Sequence, residues 1–254
     1  MSPALFVLFA VTLAIASEAG FRLGRKAESR AAGKTKPQLA SIEGGILASL
    51  GLLLGFTMSM AVARFEARKQ LVLDEANAIG TSYLRTRLLP APEGPEIANL
   101  LREYVVVRLQ HADLRDDLDL QANREQAARL QNEFWTRAVS YGQKDPNPVK
   151  AGLLLQSLNQ VIDLESARWM AFQNHVPPTV IYVNTIVALF AAILVGFAFG
   201  FEGRRQVFAT SMLALVIIVV LGVIVDLDRS QHGFIQLSQQ PLIDLQRQLL
   251  TSKQ

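Results

Sequence analysis

The sequence contains no cysteine among its 254 residues, and only 19% of its residues are charged. The absence of cysteine excludes a disulfide framework, a thiolate metal site and a cysteine nucleophile. Soluble domains usually carry about 25% charged residues, whereas 50% of the residues here are hydrophobic. The shortage of charge therefore indicates a membrane protein.

The patterns that catalysis or cofactor binding requires are also missing. The histidines His111, His175 and His232 are scattered, and none stands near both an acid and a nucleophile in a hydrolytic pattern. No glycine-rich phosphate loop is present. Asp226 and Asp228 have no histidine or further acid at ligand spacing, so they are predicted to be an interfacial pair rather than a metal site. We expect no catalytic residues, no metal and no cofactor.

Four apolar runs are long enough to cross a bilayer, which takes about 20 residues; they are 3–21, 39–63, 179–201 and 206–225. Helices are expected because lipid offers no hydrogen-bond partners to the backbone. The small residues at 14–19 would suit cleavage of a signal peptide, but the basic residues follow the first run instead of preceding it. The sequence thus predicts four transmembrane helices.

A long segment, 64–176, separates the second and third apolar runs. Prolines divide it, and between them apolar residues recur at three- and four-residue spacing with no alternating strand pattern. The clearest stripe ends at a charged residue: Ile97, Leu100, Leu101, Tyr104, Val105 and Arg108. The predicted fold is an all-α membrane protein with four transmembrane helices and a helical soluble insert between the second and third. The predicted division is 1–63 (two spans with a basic loop), 64–176 (insert), 177–226 (two spans) and 227–254 (polar tail).

The second apolar run passes into charged sequence without a proline or a turn, over GLLLGFTMSMAVARFEARKQLVLDEANAIG at 51–80. Small residues spaced by four form a stripe along it: Gly51, Gly55, Ser59 and Ala63. Such a stripe lets helices approach closely in lipid. It packs either against other spans of the same chain or around an axis shared by several copies. On the adjacent face lie Ala48, Leu52 and Phe56, and an apolar ring of this kind can gate a pore by dewetting.

Three other polar features have a predicted role, and two of them have an alternative interpretation. Glu43, near the start of the second run, is either an interfacial acid or part of a pore entrance that favours cations. Asn184, inside the third run, is predicted to hydrogen-bond to another helix. The basic segment 22–36 is predicted to set the orientation in the membrane, with anionic lipid head groups as an alternative partner.

The segment GFTMSMAVARFEARK, 55–69, resembles the place where the pore-lining second helix of bestrophin channels leaves the membrane. Bestrophins carry Gly-Phe, then an arginine nine residues after the glycine, followed by an aromatic residue. Bacterial members continue with a second aromatic residue and then Glu-Ala-Arg-Lys, which here follows at once, one residue earlier. The matching residues here are Gly55, Phe56, Arg64, Phe65, Glu66, Arg68 and Lys69. The last five form the predicted pore-exit motif. The order of parts, two spans, a helical insert, two spans and a tail, also resembles that family.

Nearly the whole chain resembles a group of bacterial membrane proteins described as bestrophin-like, notably at DEANAIGTSYLR, VIDLESAR and LSQQPLIDL. The resemblance implies a homo-oligomer, a pentamer in bestrophins, with the second span around a central ion pathway. By position, the apolar neck of that pore falls on Ala48, Leu52 and Phe56. The acidic calcium-binding cluster that follows the fourth span in animal bestrophins is absent, so no calcium gating is expected.

Two functional hypotheses follow. The first is an oligomeric channel for small inorganic ions in the bacterial inner membrane. The alternative is a membrane-anchored sensor or scaffold whose helical insert binds a partner.

The orientation is predicted in two conflicting ways. The loop between the first two spans carries Arg22, Arg25, Lys26, Arg30, Lys34 and Lys36 against a single acid, Glu28. The loop between the last two spans carries Arg204 and Arg205. The positive-inside rule puts both loops in the cytoplasm and the insert outside. The bestrophin resemblance implies the reverse, and we favour the charge argument.

Overall fold

A computed structural model describes residues 3–28, 36–111, 114, 116–145, 148–229 and 233–251. The regular elements in these ranges are all α-helices, and no β-strand occurs within them. The helices are α1 (Pro3–Glu28), α2 (Lys36–Thr86), α3 (Glu93–Gln110), α4 (Asp117–Lys144), α5 (Pro148–Gln173), α6 (Pro178–Phe201), α7 (Val207–Asp228) and α8 (Gln240–Thr251). The basic residues Arg30 and Lys34, the turn residue Pro146 and His232 lie outside the described residues.

Four helical stretches are long and apolar enough to cross a membrane: Ala4–Glu28, Leu39–Thr86, Pro148–Phe201 and Val207–Asp228. The third stretch contains both α5 and α6, and α6 is its apolar part. Pro178 starts α6 because a proline at the first helical position sacrifices no helical hydrogen bond. The prediction of an all-α chain with four long apolar helices is confirmed, and the chain is a membrane protein.

Helix α2 is a single helix of 51 residues, Lys36–Thr86. The sequence places its only proline, Pro37, at the helix start, and the next proline, Pro90, follows the helix end. Nothing between them removes a backbone donor, so the helix continues from apolar into charged sequence. The continuity predicted for 51–80 is confirmed.

The chain forms two compact units, the first from Met1–Phe65 and His175–Gln236 and the second from Glu66–Asn174 and Leu237–Gln254. The core of the first unit is built from α1, α2, α6 and α7, with these buried side chains at its centre: Leu13, Leu50, Leu54, Ala61, Ala188, Ala191, Ile217, Leu221 and Ile224. This unit contains the four apolar helices or their apolar parts.

Within the first unit, α1 and α6 cross at backbone contact through two pairs of glycines spaced by four. A Cβ atom added to Gly20 or Gly24 of α1 would lie 2.0 or 2.1 Å from the carbonyl oxygen of Ile193 or Phe197. Gly196 and Gly200 of α6 are equally close to carbonyl oxygens of α1, at 2.1 Å. Along the contact, residues later in α1 meet residues later in α6, so the two helices run parallel. The first and third crossings of a four-span chain must have this direction.

The second unit has its own core, made by the charged end of α2 together with α3, α4, α5 and α8. All residues of the predicted α3 stripe, Ile97 to Arg108, are buried, which confirms that pattern. The amphipathic helix α8 contributes Leu242, Leu245 and Leu249 to the same core. The segment predicted as a polar tail, 227–254, is therefore divided between the two units, because its last helix has an apolar face to bury.

Candidate functional site

The apolar stripe predicted as a pore neck lies on the exposed face of α2. Ala48 is exposed, and the side chains of Leu52 and Phe56 are 59% and 65% exposed. The opposite face of the same helix is buried in the first core through Leu50 and Leu54. Residues four apart share one helix face, so the three neck residues form a continuous apolar surface that no described residue of the chain covers.

The small-residue stripe is also on the exposed side of α2. Gly51, Gly55, Ser59 and Ala63 are all exposed, and a Cβ atom added at Gly51 or Gly55 would meet nothing within 4 Å. Among the residues that the structure describes, these two glycines therefore have no helix packed against them. Packing between copies of the chain stays a prediction.

The buried face of α2 is fixed to α6 by a hydrogen bond inside the first unit. Asn184 is fully buried, and its Nδ2 donates to the Thr57 hydroxyl at 2.8 Å and to the Val180 carbonyl at 3.0 Å. The predicted interhelical hydrogen bond of Asn184 is thus confirmed. Such bonds contribute about 0.6 kcal/mol on average between membrane helices, and this one holds the Thr57 face of α2 against α6.

The five residues of the predicted pore-exit motif divide between different surroundings. Arg64 and Phe65 are half-buried, while Glu66 and Lys69 are exposed and form an ion pair at 3.6 Å. Arg68 is buried and donates from Nε to the Ala171 carbonyl and from Nη2 to the Asn174 carbonyl, each at 3.0 Å. Arg68 therefore caps the C-terminal end of α5 by donating to backbone carbonyls that have no partner within the helix.

The candidate entrance residue Glu43 is half-buried on α2. Its carboxylate lies within electrostatic range of Glu202, which follows the end of α6. Two acids therefore lie near each other at this end of the first unit. A role of Glu43 at a pore entrance stays a prediction.

A buried charge network in the second unit was missed by sequence reasoning. Glu75 on α2 is fully buried, accepts a 2.7 Å hydrogen bond from Arg108 Nε, and also pairs with Arg168 on α5. Glu165 on α5 lies 3.8 Å from Arg108 Nη1 and 3.6 Å from Arg124 Nε. The only sequence signal was Arg108 at the end of the apolar α3 stripe, since a charge at that position needs a buried partner.

The network joins four helices of the second unit. Glu75 is on α2, Arg108 on α3, Arg124 on α4, and Glu165 and Arg168 are on α5. The Arg124 guanidinium also lies 4.6 Å from the centre of the Trp169 ring, a cation–π geometry. Each carboxylate faces arginines, so the network is suited to holding helices in register and not to proton transfer.

His111, at the end of α3, is buried beside this network. Burial, reinforced by the positive charges of Arg108 and Arg168, lowers the pKa of its imidazole from 6.5 to about 4. Its ring has edge contacts with Trp169 and Phe172 at centroid distances of 6.3 and 6.5 Å. The imidazole is therefore neutral at pH 7, packed as an aromatic side chain.

We expect this histidine to make the protein sensitive to acid. Because the pKa is lower in the folded protein than in the unfolded chain, the unfolded chain binds the proton first as the pH falls. The contribution of the neutral imidazole to the free energy of unfolding is fully present above pH about 6.5. It is lost as the pH falls to about 4, at about 1.4 kcal/mol per pH unit and by on the order of 3 kcal/mol in total. Thermal unfolding in detergent from pH 7 to 4 measures this, with His111→Gln as the matched variant. Identical pH dependence in the two proteins would contradict the assignment.

The two aspartates after the fourth apolar run hold backbone groups. Asp228 accepts from the Val176 N–H at 2.8 Å and lies 3.2 Å from His175 Nδ1. Asp226 accepts from the N–H groups of Phe234 and Ile235 at 2.9 and 2.8 Å. In the described part of the chain, no group of three or more His, Cys, Asp or Glu residues has metal-binding geometry. These aspartates therefore fasten the segments before α6 and after α7.

Comparison with solved structures identifies the fold. A membrane protein crystal structure covers 100% of both chains at a TM-score of 0.72 and 15% identity. Two variants of a bacterial bestrophin homologue from Klebsiella pneumoniae are similar, at TM-scores of 0.71 and 0.70 and identities of 14% and 15%. The first match covers 97% of this chain and 96% of the Klebsiella chain, and the second covers 98% of each. The chain thus has the fold of bacterial bestrophin homologues.

The family assignment agrees with the fold. The family model for a Bestrophin-like domain matches residues 7–242, nearly the whole chain, so the chain belongs to the bestrophin-like family. A comparison with curated proteins gives no match. The resemblance found in the sequence is therefore confirmed. Bestrophins are ion channels, so the prediction that the chain is not an enzyme is confirmed as well.

Proposed function

We propose that the protein is an ion channel in which several copies of the chain surround a central pathway lined by α2. The observation that carries this proposal is the exposed face of α2, which combines an apolar stripe with a small-residue stripe. Family membership supports a channel, and the fold is that of bacterial bestrophin homologues. A symmetric pentamer in the bacterial inner membrane is the favoured arrangement.

The two stripes of α2 have separate roles in this proposal. Gly51, Gly55, Ser59 and Ala63 allow α2 helices of neighbouring copies to approach closely. Ala48, Leu52 and Phe56 then face the axis as an apolar neck, where removal of water closes the pathway. Glu43 stands toward one entrance, where its charge favours cations. The exit motif, Arg64 to Lys69, contributes exposed charges through Glu66 and Lys69, while Arg68 fixes the end of α5.

The segment 64–176 is proposed to be a helical soluble insert that extends the ion pathway outside the membrane. Two observations support this proposal: the boundaries between the compact units fall after Phe65 and after Asn174, and the buried charges of the second unit are paired. The spans would then be 1–63 and 177–226. In the remaining part, 227–254, α8 belongs to the same soluble body as the insert.

Ion currents from the purified protein in planar bilayers test the channel proposal. We expect the wild-type protein to pass ions, and Leu52→Ala or Phe56→Ala to raise the conductance because each widens an apolar constriction. Phe190→Ala is the matched control, since Phe190 on α6 is also an apolar side chain that is 59% exposed.

Currents that do not change in the Leu52 and Phe56 variants, with the assembly intact, would remove these residues from the pore. A wild-type protein that passes no ions would contradict the channel and favour the sensor or scaffold alternative.

A pair of single cysteines tests the orientation. The chain has no cysteine, so Thr136→Cys on α4 and Glu202→Cys after α6 each provide one exposed thiol. We expect a membrane-impermeant maleimide to label Thr136→Cys in intact spheroplasts and Glu202→Cys only after lysis, because the basic loops favour the cytoplasm. The opposite pattern would put the insert in the cytosol, as the bestrophin resemblance implies. Equal labelling of both sites would contradict a single orientation.

A further inference from the structure

A groove between α1, α6 and α7 lies within the first unit, away from the exposed face of α2. Its volume is about 370 Å³, within the range of about 300–1,000 Å³ typical of small-molecule sites. Most of its wall is apolar and includes Leu13, Ala192, Val195, Leu213 and Ile217. The three helices are among those long and apolar enough to cross the membrane, so the apolar length of the groove lies between membrane-spanning segments.

The groove is polar and charged at one end, near the start of α7. It is lined there by Glu18, Arg205, Gln206, Thr210 and Ser211. Glu18 accepts from Arg22 Nε at 2.8 Å and from Arg205 Nη2 at 3.1 Å. The Arg205 guanidinium also lies 4.6 Å from the centre of the Phe21 ring. Glu18 is thus neutralised, and Arg205 is held at the mouth of the groove.

Positive charge is in excess around this mouth. The end of α1 and the turn between α6 and α7 carry five basic residues, Arg22, Arg25, Lys26, Arg204 and Arg205, and three acids, Glu18, Glu28 and Glu202. The basic residues still outnumber the acids by one when Glu43, which lies near Glu202, is counted as a fourth acid. Arg25 and Arg204 are exposed, and their guanidinium groups have no ion-pair partner among the described residues. Arg25 lies one turn beyond Phe21 on α1, and Arg204 directly precedes Arg205, so two exposed arginines neighbour residues that line the groove.

We infer that this groove binds an anionic phospholipid of the surrounding membrane. One acyl chain lies along the apolar wall, because water gains no hydrogen bonds there and hydrocarbon is the solvent outside. The phosphate accepts hydrogen bonds from Arg25 and Arg204, as guanidinium groups pair with phosphate in two-pronged geometry. The site is independent of the proposed ion pathway, and its test measures binding instead of ion flux.

The binding test uses the full-length protein purified in detergent, with phosphatidylglycerol and phosphatidylcholine of identical acyl chains as probes. Native mass spectrometry is expected to show retained phosphatidylglycerol in preference to phosphatidylcholine. Each of Arg25→Gln and Arg204→Gln should weaken phosphatidylglycerol binding about fivefold, since one basic residue near an anionic surface contributes on that order. Arg229→Gln, at the other end of α7, should leave the binding unchanged.

A second set of variants tests the groove itself. Ala214→Trp fills it from a half-buried position, and Ser211→Trp fills its mouth from an exposed position that is open to a larger side chain. Both should reduce phosphatidylglycerol binding at least tenfold, and the unfolding temperature of Ser211→Trp should match that of the wild type. Binding that persists in the folded Ser211→Trp variant would show only surface attraction to the arginines and overturn the inference. Equal retention of the two lipids, or cross-linking between copies through Ser211→Cys, would also overturn it.

Discussion

Replacing Gly196 with alanine is expected to destabilise the first unit by about 3 kcal/mol, the upper part of the usual range for an overpacked interior. The added Cβ would lie 2.1 Å from the carbonyl oxygen of Ser17 on α1. A backbone atom cannot move aside as a flexible side chain can, so α1 and α6 would have to separate along their whole contact. The recovery of monodisperse protein and its unfolding temperature in detergent measure the effect.

Gly55 on α2 provides the matched control for this substitution. It is also a glycine within a spaced stripe of a membrane helix, but a Cβ atom there would meet nothing within 4 Å. Alanine is also one of the small residues that permit close helix approach, so Gly55→Ala should leave the unfolding temperature and the assembly nearly unchanged. Gly55→Leu should disrupt the assembly of copies, seen by native mass spectrometry, while the chain itself stays folded. Equal destabilisation by Gly196→Ala and Gly55→Ala would contradict the α1–α6 contact.

Replacing Glu75 with glutamine is expected to cost the second unit about 3–5 kcal/mol, because it leaves Arg168 without its carboxylate partner and Arg108 with only the more distant Glu165. Glu75 is fully buried between Arg108 and Arg168. Without the carboxylate, two guanidinium groups would repel each other where water cannot screen them. Thermal unfolding in detergent gives the overall loss, and hydrogen exchange locates it in α3 and α5.

Glu66→Gln is the control for the charge change itself. Glu66 lies on the same helix, is exposed, and has Lys69 as its ion-pair partner among the described residues, so its loss should cost less than about 1 kcal/mol. If Glu75→Gln unfolds no earlier than Glu66→Gln, the buried network does not stabilise the second unit.

The sequence predicts the helices well because their signals are local. Apolar runs, prolines and three- or four-residue spacing act within one helix, so the four apolar helices, the unbroken α2 and the α3 stripe were all predictable. The Asn184 hydrogen bond was predictable for a similar reason: an amide inside an apolar helix needs a partner.

Contacts between distant parts of the chain were not predictable in the same way. The α1–α6 crossing uses two glycine pairs, which attract less notice than the longer stripe on α2, although their spacing of four residues was present in the sequence. Arg68 was grouped with its neighbours in a motif, but its partners are carbonyls more than 100 positions away, at Ala171 and Asn174. The Glu75 network joins four helices, and no single segment contains its pattern.

The central claim is that the exposed apolar face of α2 lines an ion pathway, and chemical modification of one cysteine at Phe56 tests it most directly. The chain has no other cysteine, so a charged methanethiosulfonate reagent would react with Phe56→Cys alone. Phe190→Cys on α6 is the control, because it is similarly exposed on an apolar helix. We predict that the reagent alters the current through Phe56→Cys channels in planar bilayers and leaves Phe190→Cys channels unaffected. A current that the reagent does not change at Phe56→Cys, with complete labelling shown by mass spectrometry, would contradict the account.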